Sequence, residues 1–497
     1  MSPHQLVNTP VLTRHKCAIM LVALVIPLLS TIITAQPLGS VLLRNSGAIS
    51  YPLPRIIYIM TNATATYELS STFQVITYST NSLTVLNHAI QDVSLLEGSL
   101  FVYNGTYQVD GTINMQSNVN MTLQDGVFIN ETGNNQRITS WTDVSNSLIW
   151  AHSNATIHGM GSNGYDLENA FWLNNVNNIT IGAAHPNGLV VYNIGAQWLH
   201  TNGNPVWINN SVFVNIRAYK WATMGLYNQH GMLLDGAQNV QIINITSDGS
   251  GSYARSPLVI GGEGNPSNNV TIIGGVYENS AHDNGIYIGG WQKPVTNLQI
   301  INVTTANNTK LGHSGIKLRP AMNVTVIGWV SNGDFNGMEC GTAYDSEADI
   351  YPNQYNNVTG TVNSPLNCGL ILTTDGSNKN QKTQFNVFNL AINNASKPGV
   401  WIDNENGGGT SVNNNTLFIN ATGGQRYAID FAGSGNVSYN TVYGRFVQNG
   451  QGGFADLVFE NLTSTNYNVV NVYSTSGNAH GLYSGDLGTN VVNYPYP

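Results

Sequence analysis

Gly285-Ile286-Tyr287-Ile288, Asn297-Leu298-Gln299, Gly315-Ile316-Lys317-Leu318 and Asn323-Val324-Thr325 follow one another between residues 285 and 325. Two short strand-like runs alternate, one headed by Gly and one by Asn. The Asn-headed run recurs at Asn178, Asn210, Asn239, Asn269, Asn357, Asn386, Asn415, Asn436 and Asn468, at intervals of 21 to 34 residues. The other recurs at Gly231, Pro257, Gly337, Gly369, Gly399 and Ala428. That spacing is a repeat period, far longer than a helix turn or a hairpin. Two strands per period describe one coil of a parallel β-helix. Asn tolerates the left-handed backbone of a tight corner, and stacked Asn side chains can bond along the ladder. Alternation after each Gly sends one residue inward and the next outward.

Bulk composition agrees. The chain has 497 residues, 52 glycines and only 9% charged residues. Such low charge with heavy Asn, Thr and Ser use suits stacked strands better than helices. A solenoid adds coils without splitting into domains, so the length implies one repeat domain. The net charge of −9 and the absence of basic runs exclude nucleic acid as a partner.

Arg14, His15 and Lys16 precede an apolar run from Cys17 to Thr34, and Ile33-Thr34-Ala35 offers a small residue for cleavage. The pattern predicts a secretory signal peptide; the alternative is an uncleaved N-terminal anchor, the one membrane contact expected. Either way the basic flank predicts that the rest lies outside the cell, secreted or at its surface. The expected organisation is 1–35 signal or anchor, 36–80 N-terminal segment, 81–480 parallel β-helix and 481–497 C-terminal tail or cap. Leu83, Leu86, Ile90 and Val93 share one helical face, with Ser82 as a cap and Gly98 as a stop. This helix is expected to cover the open end of the first coil. Cys340 and Cys368 sit at offset positions of their coils, about 13 Å apart along the strand direction. They are expected as two inward free thiols, since a disulfide needs closer approach.

Ala89-Ile90, Gly98-Ser99-Leu100-Phe101-Val102, Asn104-Gly105-Thr106-Tyr107 and Ser117-Asn118-Val119 resemble the entry segment of the pectin-lyase-like superfamily. The resemblance covers about residues 81–475. It implies a right-handed parallel β-helix, a scaffold on which lyases, hydrolases, epimerases, tailspikes and adhesins are built. Gly312-His313-Ser314-Gly315 and Ile316-Lys317-Leu318-Arg319 loosely resemble the Gly-His-Gly and Arg-Ile-Lys elements of polygalacturonases. In that family the two elements lie on different coils, and here they are contiguous. The family's Asn-Thr-Asp and Asp-Asp carboxylates have no match beyond His282-Asp283-Asn284. The Lys/Arg arrangement is closer to that of some alginate and chondroitin lyases with this fold.

Aligning coils on the column residue stacks Arg255, Asp283 and His313 two before it, and Tyr287, Lys317 and Glu339 two after it, facing outward. Arg319, Asp235 and Asp403 share the next outward register. With coils about 4.8 Å apart, Asp283, His313, Lys317, Arg319 and Glu339 are expected to form a mixed-charge catalytic patch. Tyr287, Trp401, Arg255 and Asp403 are the candidate substrate contacts, and Trp291 is a further surface aromatic. In a lyase, Lys317 removes a proton beside a uronate and Arg319 neutralises the carboxylate. In a hydrolase, Asp283 and Glu339 are the paired carboxylates, about 10 Å apart by coil spacing. The bland alternative is an ion-pair ladder that stabilises the solenoid, with His313 capping a turn. Asp345, Glu347 and Asp349 place oxygen ligands at alternate loop positions, a pattern that suits Ca²⁺; no other cofactor is implied. About eighteen Asn-x-Ser/Thr triplets occur. Those on the corner ladder, such as Asn269, Asn323 and Asn357, are expected to be packed, leaving Asn62, Asn307 and Asn394 as better acceptors of glycans.

The expected function is a secreted carbohydrate-active protein that cleaves or binds a polysaccharide, leaning towards a lyase or glycosidase. The alternative is a non-catalytic surface glycoprotein, adhesin or virion spike. Oligomeric state is open.

Overall fold

The computed structural model describes residues 56–494, except 134, 162–167, 202–206, 224–228, 251–252, 262–264, 290–292, 342–350, 375–380, 405–409, 434, 450–453, 477–481 and 485. Its strands form two sheets, one of 34 strands and one of fourteen. The smaller sheet takes one strand from each successive coil, running from Ile113–Asn114 to Tyr483–Ser484, and every pairing within it is parallel. The repeat read from the sequence is therefore a β-solenoid.

Period-two alternation decides the core. In the smaller sheet Ile286, Ile316, Met338, Leu370, Val400 and Ile429 stack in one buried column. Ile288, Leu318, Cys340, Leu372, Ile402 and Phe431 form the next. Cys340 thus occupies an aliphatic position, and both Cys340 and Cys368 are buried free thiols, as expected. Burial pushes the Cys368 thiol up to about 12 and the Cys340 thiol higher still, so neither is a ready nucleophile.

The chain enters through Ile56–Thr61, which pairs parallel with Ser99–Val102 and antiparallel with Thr66–Leu69. Thr66–Leu69 pairs antiparallel in turn with Val75–Ser79. Helix α1 follows at Ser82–Ser94 and buries Val85, Leu86, Ala89, Ile90 and Val93. Its N-cap is Asn81, whose side chain accepts from Leu83 and Thr84 N–H. Ser82, the cap expected from sequence, is instead buried against the Thr66 hydroxyl at 2.7 Å.

The Asn column resolves into two ladders. At the outer corner Asn178, Asn210, Asn239, Asn269, Asn297 and Asn323 all hold left-handed backbones, with φ between 49° and 58°. Amide groups link successive coils there, as from Asn239 to Asn210 at 3.1 Å and from Asn269 to Asn239 at 2.7 Å. After Asn323 the corner passes to Tyr355, Phe385, Asn414, Tyr439 and Tyr467, still left-handed. Ring stacking of Tyr355 on Phe385 at 5.6 Å and of Tyr439 on Tyr467 at 5.3 Å offsets the backbone strain there. The amides move one residue along, to a buried ladder of Asn356, Asn386, Asn415, Asn440, Asn468 and Asn490.

Two members of the single column expected from sequence are therefore corrected. Asn357 is a strand residue paired with Thr325 and Val387, and Asn436 is a strand residue paired with Ser411. Asn269 and Asn323 at the corner, and Asn357 on its strand, are also exposed, no less than Asn62, Asn307 and Asn394. A corner points its side chain to solvent while its amide bonds sideways, so packing does not separate the two sets of glycosylation triplets.

Candidate active site

The outer face of the smaller sheet carries one continuous register column: Ser140, Trp172, His200, Leu233, Val259, Tyr287, Lys317, Glu339, Ile371, Trp401, Asp430 and Val458. The expected outward stack of Tyr287, Lys317 and Glu339 is part of it. Lys317 Nζ lies 2.5 Å from Glu339 Oε1, and the two side chains are only 9% and 8% exposed.

Asp283 and His313 also meet, with His313 Nδ1 3.1 Å from Asp283 Oδ1. This pair is separate from the first. His313 precedes the strand Ser314–Leu318 and Lys317 lies near its end, about 13 Å further along by strand rise. The single compact patch expected from sequence is two ion pairs at opposite ends of one strand.

Asp283 is built into that turn. Its Oδ1 accepts from Asn284 N–H at 2.9 Å and from Asn284 Nδ2, and Ser280 Oγ donates to its carbonyl at 2.7 Å. Burial alone would raise its carboxyl. The His313 contact, the nearby His230 ring and the Asn284 N–H outweigh burial and hold it well below the usual carboxylate range. Asp283 therefore stays ionised across the working pH range and does not supply a proton. Burial lowers His230 to about 4, and Asp283 and Arg255 act on it in opposite directions.

Arg255 is half-buried at the turn register of Asp283, and its N–H donates to Gln229 O. Arg319 is half-buried one register beyond Lys317, in the column that runs from Asp235 and Gly261 to Thr373 and Asp403. Asp345, Glu347, Asp349 and Trp291 lie outside the described residues.

The carboxyl group best placed for acid–base chemistry lies further along. Asp430 is paired in register with Trp401 on one side and Val458 on the other. It is 8% exposed, and among the described residues its Oδ1 has no hydrogen-bond partner. Burial, then the negative charges of Glu460 and Asp403, push it up to about 7, against a smaller pull from Arg426. Asp403 belongs to the coil before, and Glu460 to the coil after, each two residues past the column. Tyr427, raised by burial and by Asp430 and Glu460, stands edge-on to Phe454 at 5.1 Å. The Arg426 guanidinium lies 5.2 Å from the same Phe454 ring. A neutral carboxyl beside charged ones, with Trp401 next to it, is an arrangement suited to proton transfer at a bound sugar.

Sequence reading selected Trp401 and Asp403 here but missed Asp430, Glu460, Arg426 and Tyr427. The signal was present, since Asp430 is the residue two after Ala428 in the same column. Its importance comes from burial and from two neighbours on other coils, which alignment by register alone does not weigh.

At the other end of the column, Arg137 sits 3.9 Å above the Trp172 ring, and His200 packs beside that ring at 4.5 Å. Burial, then the Arg137 charge, lowers His200 to about 4. This end offers a neutral aromatic surface with a cation at its edge. A second raised carboxyl, Glu131, is moved to about 7 by burial, with Glu168 adding repulsion. Glu168 accepts backbone N–H groups from Met160, Gly161 and Gly195, which marks it as a staple between loops.

No family model matches this chain, and no curated protein matches it. Solved structures do. The catalytic unit of a GH87 α-1,3-glucanase from Streptomyces thermodiastaticus strain HF3-3 aligns at a TM-score of 0.45 and 12% identity, over 82% of this chain. This chain spans 65% of that catalytic unit. A double mutant of the tailspike of E. coli bacteriophage HK620, in complex with a pentasaccharide, aligns at 0.42 and 13% identity over 78% of each chain. A family 28 exopolygalacturonase from Yersinia enterocolitica aligns at 0.36 and 10% identity, over 87% of this chain and 83% of that one. The β-solenoid itself rests on the strand pairing of this chain.

Proposed function

We propose that this is a secreted glycoside hydrolase acting on a polysaccharide laid along the outer face of the smaller sheet. The observation that carries the reading is Asp430, a buried carboxyl raised to about 7 between Asp403 and Glu460. Protonated below that pH, Asp430 donates a proton to the glycosidic oxygen. An ionised Asp403 or Glu460 takes the opposing role, as base for water or as nucleophile. Trp401 stacks on the sugar beside the scissile bond, and Arg426 and Tyr427 supply hydrogen-bond donors. The column from Tyr287 to Asp430 spans five coil steps, about 24 Å, which gives room for several sugar residues. Secretion rests on the basic and apolar N-terminal run.

The polarity of the Lys317–Glu339 pair argues against these groups as the lyase machinery. Lys317 Nζ is engaged by Glu339 Oε1 at 2.5 Å, with both side chains almost fully buried, so it is not presented to a substrate proton. The test is a panel of neutral and uronic-acid polysaccharides, read for new reducing ends and for ultraviolet absorbance of an unsaturated product. Reducing ends without absorbance support the hydrolase. Absorbance would mean a lyase, and silence from folded protein would favour a non-catalytic glycan-binding or surface role.

A further inference from the structure

At the N-terminal end of the described residues, the hairpin and α1 bring three metal-ligating side chains together. Glu68 lies in the strand Thr66–Leu69, is fully buried, and precedes an irregularity in the pairing with Val75–Ser79. His88 and Asp92 lie four residues apart on α1, hence on one helical face. His88 Nδ1 is 2.6 Å from Glu68 Oε2. One ligand atom from each of the three lies within 4.8 Å of the others.

We propose that Glu68, His88 and Asp92 form a binding site for a first-row divalent transition ion, with Zn²⁺ the foremost candidate. An ion about 2.1 Å from each donor needs the donors about 3.4 Å apart in a tetrahedron. Small side-chain rotations reach that spacing from the observed cluster. One imidazole with two carboxylates suits a borderline ion; Ca²⁺ prefers six or more oxygens. Glu68 enters from the buried side, while the His88 side chain is 46% exposed. Solvent can therefore complete the coordination and the ion has an entry path. The two elements that supply the ligands are the hairpin and the helix, so a bound ion staples one to the other.

The experiment is calorimetric titration of the full chain with Zn²⁺, with Co²⁺ absorption as a second readout and Ca²⁺ as a comparison. One saturable Zn²⁺ site, a rise in thermal midpoint on loading and a visible Co²⁺ spectrum of low coordination number are expected. His88→Ala should weaken binding at least 100-fold, and Asp92→Asn about tenfold. The remaining histidines are untouched, so loss in these variants isolates the site. Asp92→Asn is half-exposed and tests the proposal without disturbing the buried Glu68 contact. Absence of saturable Zn²⁺ binding, binding unchanged in both variants, or preference for Ca²⁺ would overturn it.

Discussion

Trp401 and Asp430 are direct register partners on neighbouring parallel coils, both facing out from the smaller sheet. An indole and a carboxyl raised to about 7 thus share one surface position, repeated once. Asp430→Asn should lower kcat by a factor of about 10² to 10⁴. Trp401→Ala should raise KM roughly tenfold, the loss of one stacked ring. Steady-state kinetics on the polysaccharide found active in the panel separate the two. Equal effects on both parameters in both variants would contradict the assignment.

The same carboxyl makes a pH prediction whose sign is determined. Asp430 binds its proton more tightly folded than unfolded. Its contribution to stability therefore falls as pH rises from the unfolded value near 4 to the folded value near 7. Buried His200 and His230 act in the opposite direction over part of this window, their folded values near 4 lying below the unfolded one. The clean quantity is therefore the difference between Asp430→Asn and the parent. The variant should gain on the parent by about 3 kcal/mol between pH 4 and pH 7. Denaturant unfolding at the two pH values measures it. Activity should decline as pH passes 7, where the parent loses its proton.

Lys317 and Glu339 are almost fully buried as a pair. Removing one partner leaves an uncompensated buried charge, so Lys317→Ala should cost about 3 kcal/mol. Replacing both by apolar residues of similar size should land within about 1 kcal/mol of the parent. Urea midpoints of single and double variants decide this. A double variant as unstable as the single would mean that the pair does more than neutralise itself.

The two Asn ladders should differ in energy. Asn415 donates to Asn440 Oδ1 and Thr383 O, and accepts from Asn386, all in the interior. Asn415→Ala strands several buried polar groups and should cost about 3 kcal/mol. Asn323 is exposed and left-handed, with φ 58°. Asn323→Ala should cost about 1 kcal/mol, mainly from the backbone. Equal losses would show that the outer ladder is more than a corner.

The repeat, the inward and outward faces, the buried free thiols and the pairing of Lys317 with Glu339 follow from the sequence alone. They depend on period-two alternation within strands and on a near-constant step between coils, and both are local properties of the chain. Turns obey neither, so the Asn column slipped by one residue after Asn323, and the Asp283–His313 and Lys317–Glu339 pairs, expected as one compact patch, lie a strand's length apart. What only the tertiary structure decided is which carboxyl can carry a proton. Asp283 and Asp430 are the same residue type in the same kind of repeat. One is surrounded by His313, His230 and Asn284 and stays charged. The other is buried between two acids and is pushed toward neutrality. That difference comes from desolvation and from charges on other coils, which are fixed when the coils stack.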